Sequence, residues 1–395
     1  MSVRSGLLPS VEDMTDRMRV LVVSESFLPQ VNGVTNSVRR VLEHLASTGH
    51  DAELVAPTGP ASYAGFPVTC TRGAHLPFYR DFRIGLETRR RLRAEMLRFR
   101  PDVVHIASPA TLGLQAARAA EELDIPSVAI YQTDLIGFAE SYGLVSEVAG
   151  GVRAMSYLTR RVHLGVDRTL APSRASLRQL EELGVSRTRL WPRGVDLELF
   201  DPSKRDEVWR RQVVPDGRLL VGYVGRLAPE KELDLLTYLC HDPRYALVIV
   251  GGGPEEGRLR RLLPDAAFLG VLHGEELARA YASLDVFVHT GRHETYCQSA
   301  QEALASGVPV VAPAAGGPLD VVADGVAGFL YEPGDGNDLG GYVDRLARDP
   351  AFRERMSLAA RQTVLGRSWP SVNDALLGHY RDVIEDRAAY RRLVA

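Results

Sequence analysis

The stretch Thr290-Gly291-Arg292-His293-Glu294-Thr295-Tyr296-Cys297-Gln298-Ser299-Ala300-Gln301-Glu302-Ala303-Leu304-Ala305-Ser306-Gly307-Val308-Pro309-Val310 decides the reading of this chain. The apolar run Val286-Phe287-Val288 before it reads as the end of a strand. Gln298 to Ser306 reads as a helix, Gly307 as its C-terminal stop, and Val310-Val311 as the start of the next strand. Glu294 then sits in a strand-to-helix loop, and Glu302 lies on the helix. In open α/β sheets ligands bind at the carboxyl ends of strands, where that loop falls. An ionised carboxylate accepts hydrogen bonds from two hydroxyls at once, which suits sugars and ribose. Two plainer readings stand beside this one. A glutamate near a helix start stabilises the helix dipole, and one in mid-helix faces solvent.

The same rhythm extends in both directions. Met18 to Ser24 is an apolar run suited to a buried parallel strand. A glycine-bearing loop from Phe27 to Val38 and an amphipathic helix to about Ala46 follow. Further strands are expected at Ala52–Ala56, Val103–His105, Ser127–Tyr131 and Arg168–Ala171. Loop chemistry interrupts around Trp191–Pro202. A second series follows at Leu219–Val224, Tyr245–Val250, Ala267–Leu269, Val286–His289 and Val308–Ala312. Trp369 to about Arg391 reads as one or two helices. Alternation of this kind predicts an α/β fold of two Rossmann-like domains, each a parallel sheet between helices. The expected division is a disordered lead-in at 1–17, a first domain at 18–200 and a second at 201–371, with about 372–395 returning to the first.

Bulk composition narrows the function classes. The 395 residues suffice for two or three domains. An apolar fraction of 45% with 25% charged residues is that of a globular chain rather than a disordered one. A net charge of −3 gives no general affinity for nucleic acid. Cys70, Cys240 and Cys297 lie far apart, which argues against a disulfide scaffold or zinc site and fits a reducing cytoplasm. No apolar run approaches the ~18 residues that span a bilayer, and the acidic lead-in is not a signal peptide. Only two of the 47 basic residues are lysines, Lys204 and Lys231, so Lys231 inside a motif stands out.

Taken together, Glu294, seven intervening residues and Glu302-Ala303-Leu304-Ala305-Ser306-Gly307-Val308-Pro309-Val310 resemble the signature of the retaining family 4 glycosyltransferases, whose two-domain architecture is called GT-B. Val224-Gly225-Arg226-Leu227-Ala228-Pro229-Glu230-Lys231-Glu232 is similar to that family's Gly-Arg…Glu-Lys-Gly element, with Glu232 in place of the usual glycine. The resemblance covers residues 18–385. It implies a nucleotide-sugar donor on the second domain, an acceptor on the first, and closure over the sugar. Arg226 and Lys231 would neutralise the departing diphosphate, Glu294 would hold the sugar hydroxyls, and Glu302 the ribose. Gly225, Gly252, Tyr296, Cys297 and Gln298 would complete the donor pocket, and backbone groups of Val271 and His273 would read the base. Ala314-Ala315-Gly316-Gly317-Pro318 would bring backbone amides to the sugar or phosphate. Gly33, in the loop Asn32-Gly33-Val34-Thr35, would let backbone N–H groups approach a phosphate, though for a lone glycine loop a plain turn is the more usual explanation.

Tyr131-Gln132-Thr133-Asp134 is similar to actinobacterial mannosyltransferases that use GDP-mannose. Gln132 stands where related transferases commonly carry histidine; it can orient a substrate but cannot shuttle a proton. Asp134 would accept from a sugar hydroxyl or cap the following helix. The expected reaction moves a hexose, mannose from GDP-mannose, to a glycolipid or glycan hydroxyl, with no metal or other cofactor. The alternatives are a UDP-sugar-dependent transferase, a GT-B sugar-nucleotide epimerase and a non-catalytic binding protein. The basic clusters Arg89–Arg93 and Arg153–Arg161 read as solvated helix faces, or as a peripheral contact with anionic lipid at the inner face of a membrane.

Overall fold

The computed structural model describes residues 17–30, 32–76, 79–108, 110–132, 149–240 and 242–394. The expected lead-in therefore lies outside the described residues, except for Arg17. The chain divides into two compact units. The first comprises 1–132, 158–170 and 376–395, and the second 133–157 and 171–375.

The first unit is built on β1 (Arg19–Val23), β2 (Asp51–Ala56), β3 (Ser62–Tyr63), β4 (Phe66–Cys70), β5 (Gly73–Leu76), β6 (Tyr79–Gly85), β7 (Val103–Ile106), β8 (Ser127–Ile130) and β9 (Arg168–Ala171). The strands run in the order β9-β8-β7-β1-β2-β4-β3, with β5 and β6 as a separate antiparallel pair. Every pair from β9 to β4 is parallel. Three helices matter below: α1 (Gly33–Ser47), α2 (Arg89–Phe99) and α3 (Thr111–Glu122). α4 spans Ala149–Leu164. The β3–β6 segment escaped the sequence reading, because its short strands mix polar, proline and glycine residues with no sustained alternation.

The second unit holds β10 (Leu219–Val224), β11 (Tyr245–Val250), β12 (Ala267–Gly270), β13 (Val286–Val288), β14 (Val310–Pro313) and β15 (Gly328–Tyr331). They form one six-stranded parallel sheet in the order β12-β11-β10-β13-β14-β15. Successive residues enter opposite cores. Leu220, Val248, Phe287 and Val310 pack in one, and Val221, Ile249, Val286 and Val311 in the other. Burial on both faces is why these strands read as unbroken apolar runs. The chain builds outward from β10 through β11 to β12, then returns to the other side of β10 with β13. This reversal is a topological switch point, and the loops leaving β10 and β13 meet there.

α5 (Gly274–Ala282) and α6 (Gln298–Ala305) flank this sheet. Gly307 has φ +71°, the left-handed conformation a helix stop requires. The chain ends in one helix, α7 (Trp369–Val394), rather than two. Its residues from Leu376 onward belong to the first unit. There Tyr380 hydrogen-bonds His105 Nδ1 at 2.6 Å, and Arg387 pairs with Asp167 at 2.9 Å. Among the described residues no helix is long and apolar enough to cross a membrane.

Candidate active site

Three loops at the carboxyl edge of the second sheet interlock through glycines. Gly225 N–H donates to Val250 O at 3.0 Å, Leu227 N–H to Gly252 O at 2.9 Å, and Gly251 N–H to Gly270 O at 2.7 Å. Gly251 has φ +139°, and a Cβ there would lie 1.9 Å from Gly225 O. Only glycine fits so close an approach of backbones. Gly252 lies close against Val271: a Cβ added there would meet Val271 Cγ2 at 3.1 Å, a tight contact. Val271 is exposed, as is His273, which sits at the N-cap of α5 without capping it through its side chain. The two segments expected to flank a base are thus side by side, with their surfaces open.

The loop leaving β10 closes in a short 3₁₀ turn, Pro229–Lys231. Glu232 follows at φ +49°, ψ +40°, a left-handed conformation. This accounts for the departure from the family pattern: the position keeps the glycine-like backbone while carrying a carboxylate. Glu232 offsets the backbone cost with a two-pronged ion pair to Arg292, at 2.6 and 2.9 Å. The Thr290 hydroxyl donates to Lys231 O at 2.5 Å, further locking the β10 loop to the β13 loop.

That lock brings Lys231 and Glu294 together. Lys231 Nζ lies 2.5 Å from Glu294 Oε1, and His289 Nε2 lies 3.2 Å from the same oxygen. Burial alone would raise the Glu294 carboxyl pKa; Lys231 and His289 outweigh it and hold it well below the usual range. Burial likewise works against the Lys231 ammonium, and Glu294 reverses the effect. Arg226 pairs with Glu230, and its backbone carbonyl accepts from the Tyr223 hydroxyl at 3.1 Å. The motifs assign Arg226 and Lys231 to one ligand group and Glu294 to another. In the structure Lys231 and Glu294 are a single charged unit.

Cys297, at φ +74°, turns the chain into α6. Tyr296 is buried, and its hydroxyl is committed to Arg193 O at 3.2 Å and to Gln301. Gln298 Nε2 donates to Gly194 O at 3.0 Å. Tyr296 and Gln298 therefore brace the 193–194 loop. Glu302 accepts from the Tyr281 hydroxyl at 3.1 Å, and burial pushes its carboxyl up to about 7. Gly316 and Gly317 press on the loop from behind: Gly317 N–H donates to Glu294 O at 2.7 Å, and a Cβ on Gly317 would lie 2.2 Å from the Tyr296 carbonyl carbon. These glycines set the Glu294 backbone.

In the first unit Gly33 opens α1, whose N-cap Asn32 accepts from Thr35 N–H at 2.9 Å. Gln132 is buried and donates to Ala107 O at 2.9 Å. Asp134 lies outside the described residues. Two neighbours of the charged unit escaped the motif reading. They are His289 and Arg193, whose guanidinium is buried and pulled down to about 10 by that burial, with Tyr296 and Glu294 opposing. Trp191-Pro192-Arg193-Gly194 looked like loop chemistry, and only the fold brings it to Glu294.

The profile for Glycosyltransferase Family 4 matches residues 31–199, and that for Glycosyl transferases group 1 matches 204–363. A protein of Mycobacterium tuberculosis named GDP-mannose-dependent alpha-mannosyltransferase is 49% identical over 93% of this chain and 97% of its own. One of the same name from Corynebacterium glutamicum is 43% identical over 93% and 89%. Among solved structures, HepE of Anabaena in complex with UDP superposes with a TM-score of 0.77 at 18% identity, covering 92% of this chain and all of that one. Sucrose-phosphate synthase from Thermosynechococcus elongatus gives 0.75 at 21%, covering 94% and all of its chain. The chain belongs to the family 4 glycosyltransferases and has their GT-B fold: it is a glycosyltransferase.

The Glu302 carboxyl gives a pH signature. Folded, it keeps its proton to about pH 7, against an ordinary value of 4.5. The native state then binds more protons than the unfolded state between these values, and stability falls as pH rises through that window. Glu302→Gln, which can still accept from Tyr281, should raise the melting temperature at pH 8 by the equivalent of about 3 kcal/mol. At pH 4.5 it should change little. Calorimetric scans at the two pH values measure the difference, and equal shifts at both would remove the assignment.

Proposed function

We propose that the protein transfers mannose from GDP-mannose, with retention at the anomeric carbon, to a glycolipid or glycan hydroxyl. The observation that carries this reading is the Lys231–Glu294 unit at the switch point of the second sheet, with Arg226 on the same loop as Lys231. The donor choice rests on the names of relatives 43–49% identical along nearly their whole length. Arg226 and Lys231 stabilise the diphosphate as its bond to the anomeric carbon breaks. Glu294 accepts from sugar hydroxyls, and Glu302 accepts from the ribose. The acceptor oxygen bonds to the anomeric carbon on the face the phosphate leaves, and the departing phosphate oxygen takes the acceptor proton. The two cations do the work a divalent metal would otherwise do, so no metal enters the scheme. Gln132 orients substrate in this account, Asp134 is the remaining acceptor-side candidate, and Gly33 is a candidate for the donor phosphate.

Melting-temperature shifts with GDP-mannose, GDP, UDP-glucose and UDP test the donor, because a ligand that binds only the folded form raises the midpoint by mass action. Shifts with the guanine compounds alone are expected; shifts with the uracil compounds alone would replace the donor. In the same preparation Glu294→Ala should lose at least ~100-fold in transfer; loss of the partner of Lys231 lowers its melting temperature, but the variant should still fold and unfold cooperatively. Retained turnover would remove Glu294 from the mechanism.

A peripheral contact with anionic lipid at the cytoplasmic face is the second part of the proposal. Leu92, Met96 and Phe99 of α2 are buried in the protein core, so that helix has no apolar stripe to lay into a bilayer. Its polar side is different. Arg89 pairs with Glu122 and Arg91 with Glu87, while Arg90, Arg93 and Arg118 have no pair among the described residues and line an open groove between α2 and α3. Electrostatic attraction to headgroups would suffice for a reversible contact. The Arg153 side chain of the second basic cluster lies outside the described residues. Flotation with anionic vesicles should exceed that with neutral ones and drop when Arg90, Arg93 and Arg118 are replaced by serine. Equal flotation on both lipids would contradict the contact.

A further inference from the structure

His289 ends the β13 segment, 2% exposed, its ring stacked on Tyr223 at 6.2 Å with 15° between the planes. On one side Nε2 is 3.2 Å from Glu294 Oε1; the ring also faces the Cys297 thiol. Neither ring nitrogen makes a well-aligned hydrogen bond within the protein. A buried imidazole left in this state is costly unless something else fixes its purpose. Its surroundings favour the protonated ring: burial opposes the charge, but Cys297 and Glu294 push it up to about 10. Protonated, the ring carries a hydrogen on both nitrogens, and Nε2 is the one that faces Glu294 Oε1 at 3.2 Å.

The chemistry of Lys231 explains why a second donor is needed. The ammonium ends a flexible four-carbon stem and is shared between Glu294 and any diphosphate that arrives. When Lys231 turns toward phosphate, its hold on Glu294 weakens. The imidazole cannot follow, because it is stacked and enclosed, and Tyr331 donates to the His289 carbonyl at 3.2 Å to fix its backbone. Glu294 Oε1 thus faces two cations, hydrogen-bonded to Lys231 at 2.5 Å and 3.2 Å from His289 Nε2, while nothing among the described residues pairs with Oε2.

We propose that His289 is a positioning residue for the donor sugar: it anchors Oε1 of Glu294 from inside the protein, so that Oε2 stays aimed at the sugar hydroxyls when Lys231 engages the diphosphate. This rests on the reading of Glu294 as the acceptor of sugar hydroxyls. It predicts an effect on the sugar and not on the nucleotide.

Three variants separate donation from packing. His289→Leu removes the donor, His289→Gln carries an amide to nearly the same place as Nε2, and His289→Asn keeps a polar group that stops short of Oε1. The assay is hydrolysis of GDP-mannose by water, which needs no acceptor, or of whichever sugar nucleotide in the melting screen binds the protein. Affinity for the free nucleoside diphosphate is measured alongside. His289→Leu and His289→Asn should lose about 10- to 100-fold in kcat/KM and bind the diphosphate as wild type does. His289→Gln should recover most of the loss. If His289→Leu fails to fold, the contrast between Gln and Asn still decides. Equal kcat/KM in Gln and Asn, or parallel loss of sugar-nucleotide turnover and diphosphate affinity, would overturn the proposal. Donor hydrolysis that is present in the wild-type protein and continues unchanged in Glu294→Ala would instead remove the underlying reading of Glu294.

Discussion

An ammonium and a carboxylate taken largely out of water destabilise a fold unless each is the other's partner. Lys231 and Glu294 meet that condition at 2.5 Å, and much of the second unit exists to keep them there. They sit on loops from adjacent strands, β10 and β13, and those strands are adjacent only because the sheet reverses its order between them. Removing either partner would leave a charge buried without its counter-ion; with Lys231 gone, His289 is the neighbour of Glu294 Oε1 that remains among the described residues. The pair is therefore both a constraint on the fold and the reason the site holds two ionised groups ready for a substrate with a diphosphate at one end and hydroxyls at the other.

The surrounding backbone makes that geometry rigid by using residues without side chains, or with side chains already engaged. Gly251 lets the β10 and β11 loops touch, and Gly317 lets the β14 loop support Glu294 from behind. Glu232 and Cys297 hold left-handed conformations that glycine would adopt more cheaply. Glu232 offsets its cost through Arg292, whereas the Cys297 thiol lies beside His289. Within the second unit, left-handed strain at non-glycine residues falls on the two loops that carry the charges, while Ala64, Arg100 and Asp124 hold such conformations in the first. Preorganised charges of this kind stabilise a departing anion without reorganising at the moment of reaction.

The second sheet was legible in the sequence because its strands are covered on both faces and so read as unbroken apolar runs. β10, β11 and β9 fall where expected, and the others shift by only one or two residues. The strands between Ser62 and Gly85 were not legible: they are short and carry proline, glycine and charge. β15 was hidden by the glycine that opens it and its length of only four residues. At the site, Lys231 and Glu294 were visible through motif spacing, but their mutual contact was not, since pairing across 63 positions is set by sheet order. Arg193 and His289 left no local signal. Each is an ordinary residue in a loop or strand end until tertiary packing places it against Glu294. Tyr296 and Gln298 show the opposite limit: they lie within the motif yet spend their polar atoms on the 193–194 backbone.

The central claim is that Lys231, Glu294 and Arg226 form one donor site. A crystal structure of the protein with GDP-mannose bound tests it most directly. The account predicts the diphosphate on Arg226 and Lys231, and a mannose hydroxyl within hydrogen-bonding distance of Glu294 Oε2, with Oε1 still facing His289. A diphosphate bound elsewhere, or a sugar with no contact to Glu294, would contradict it.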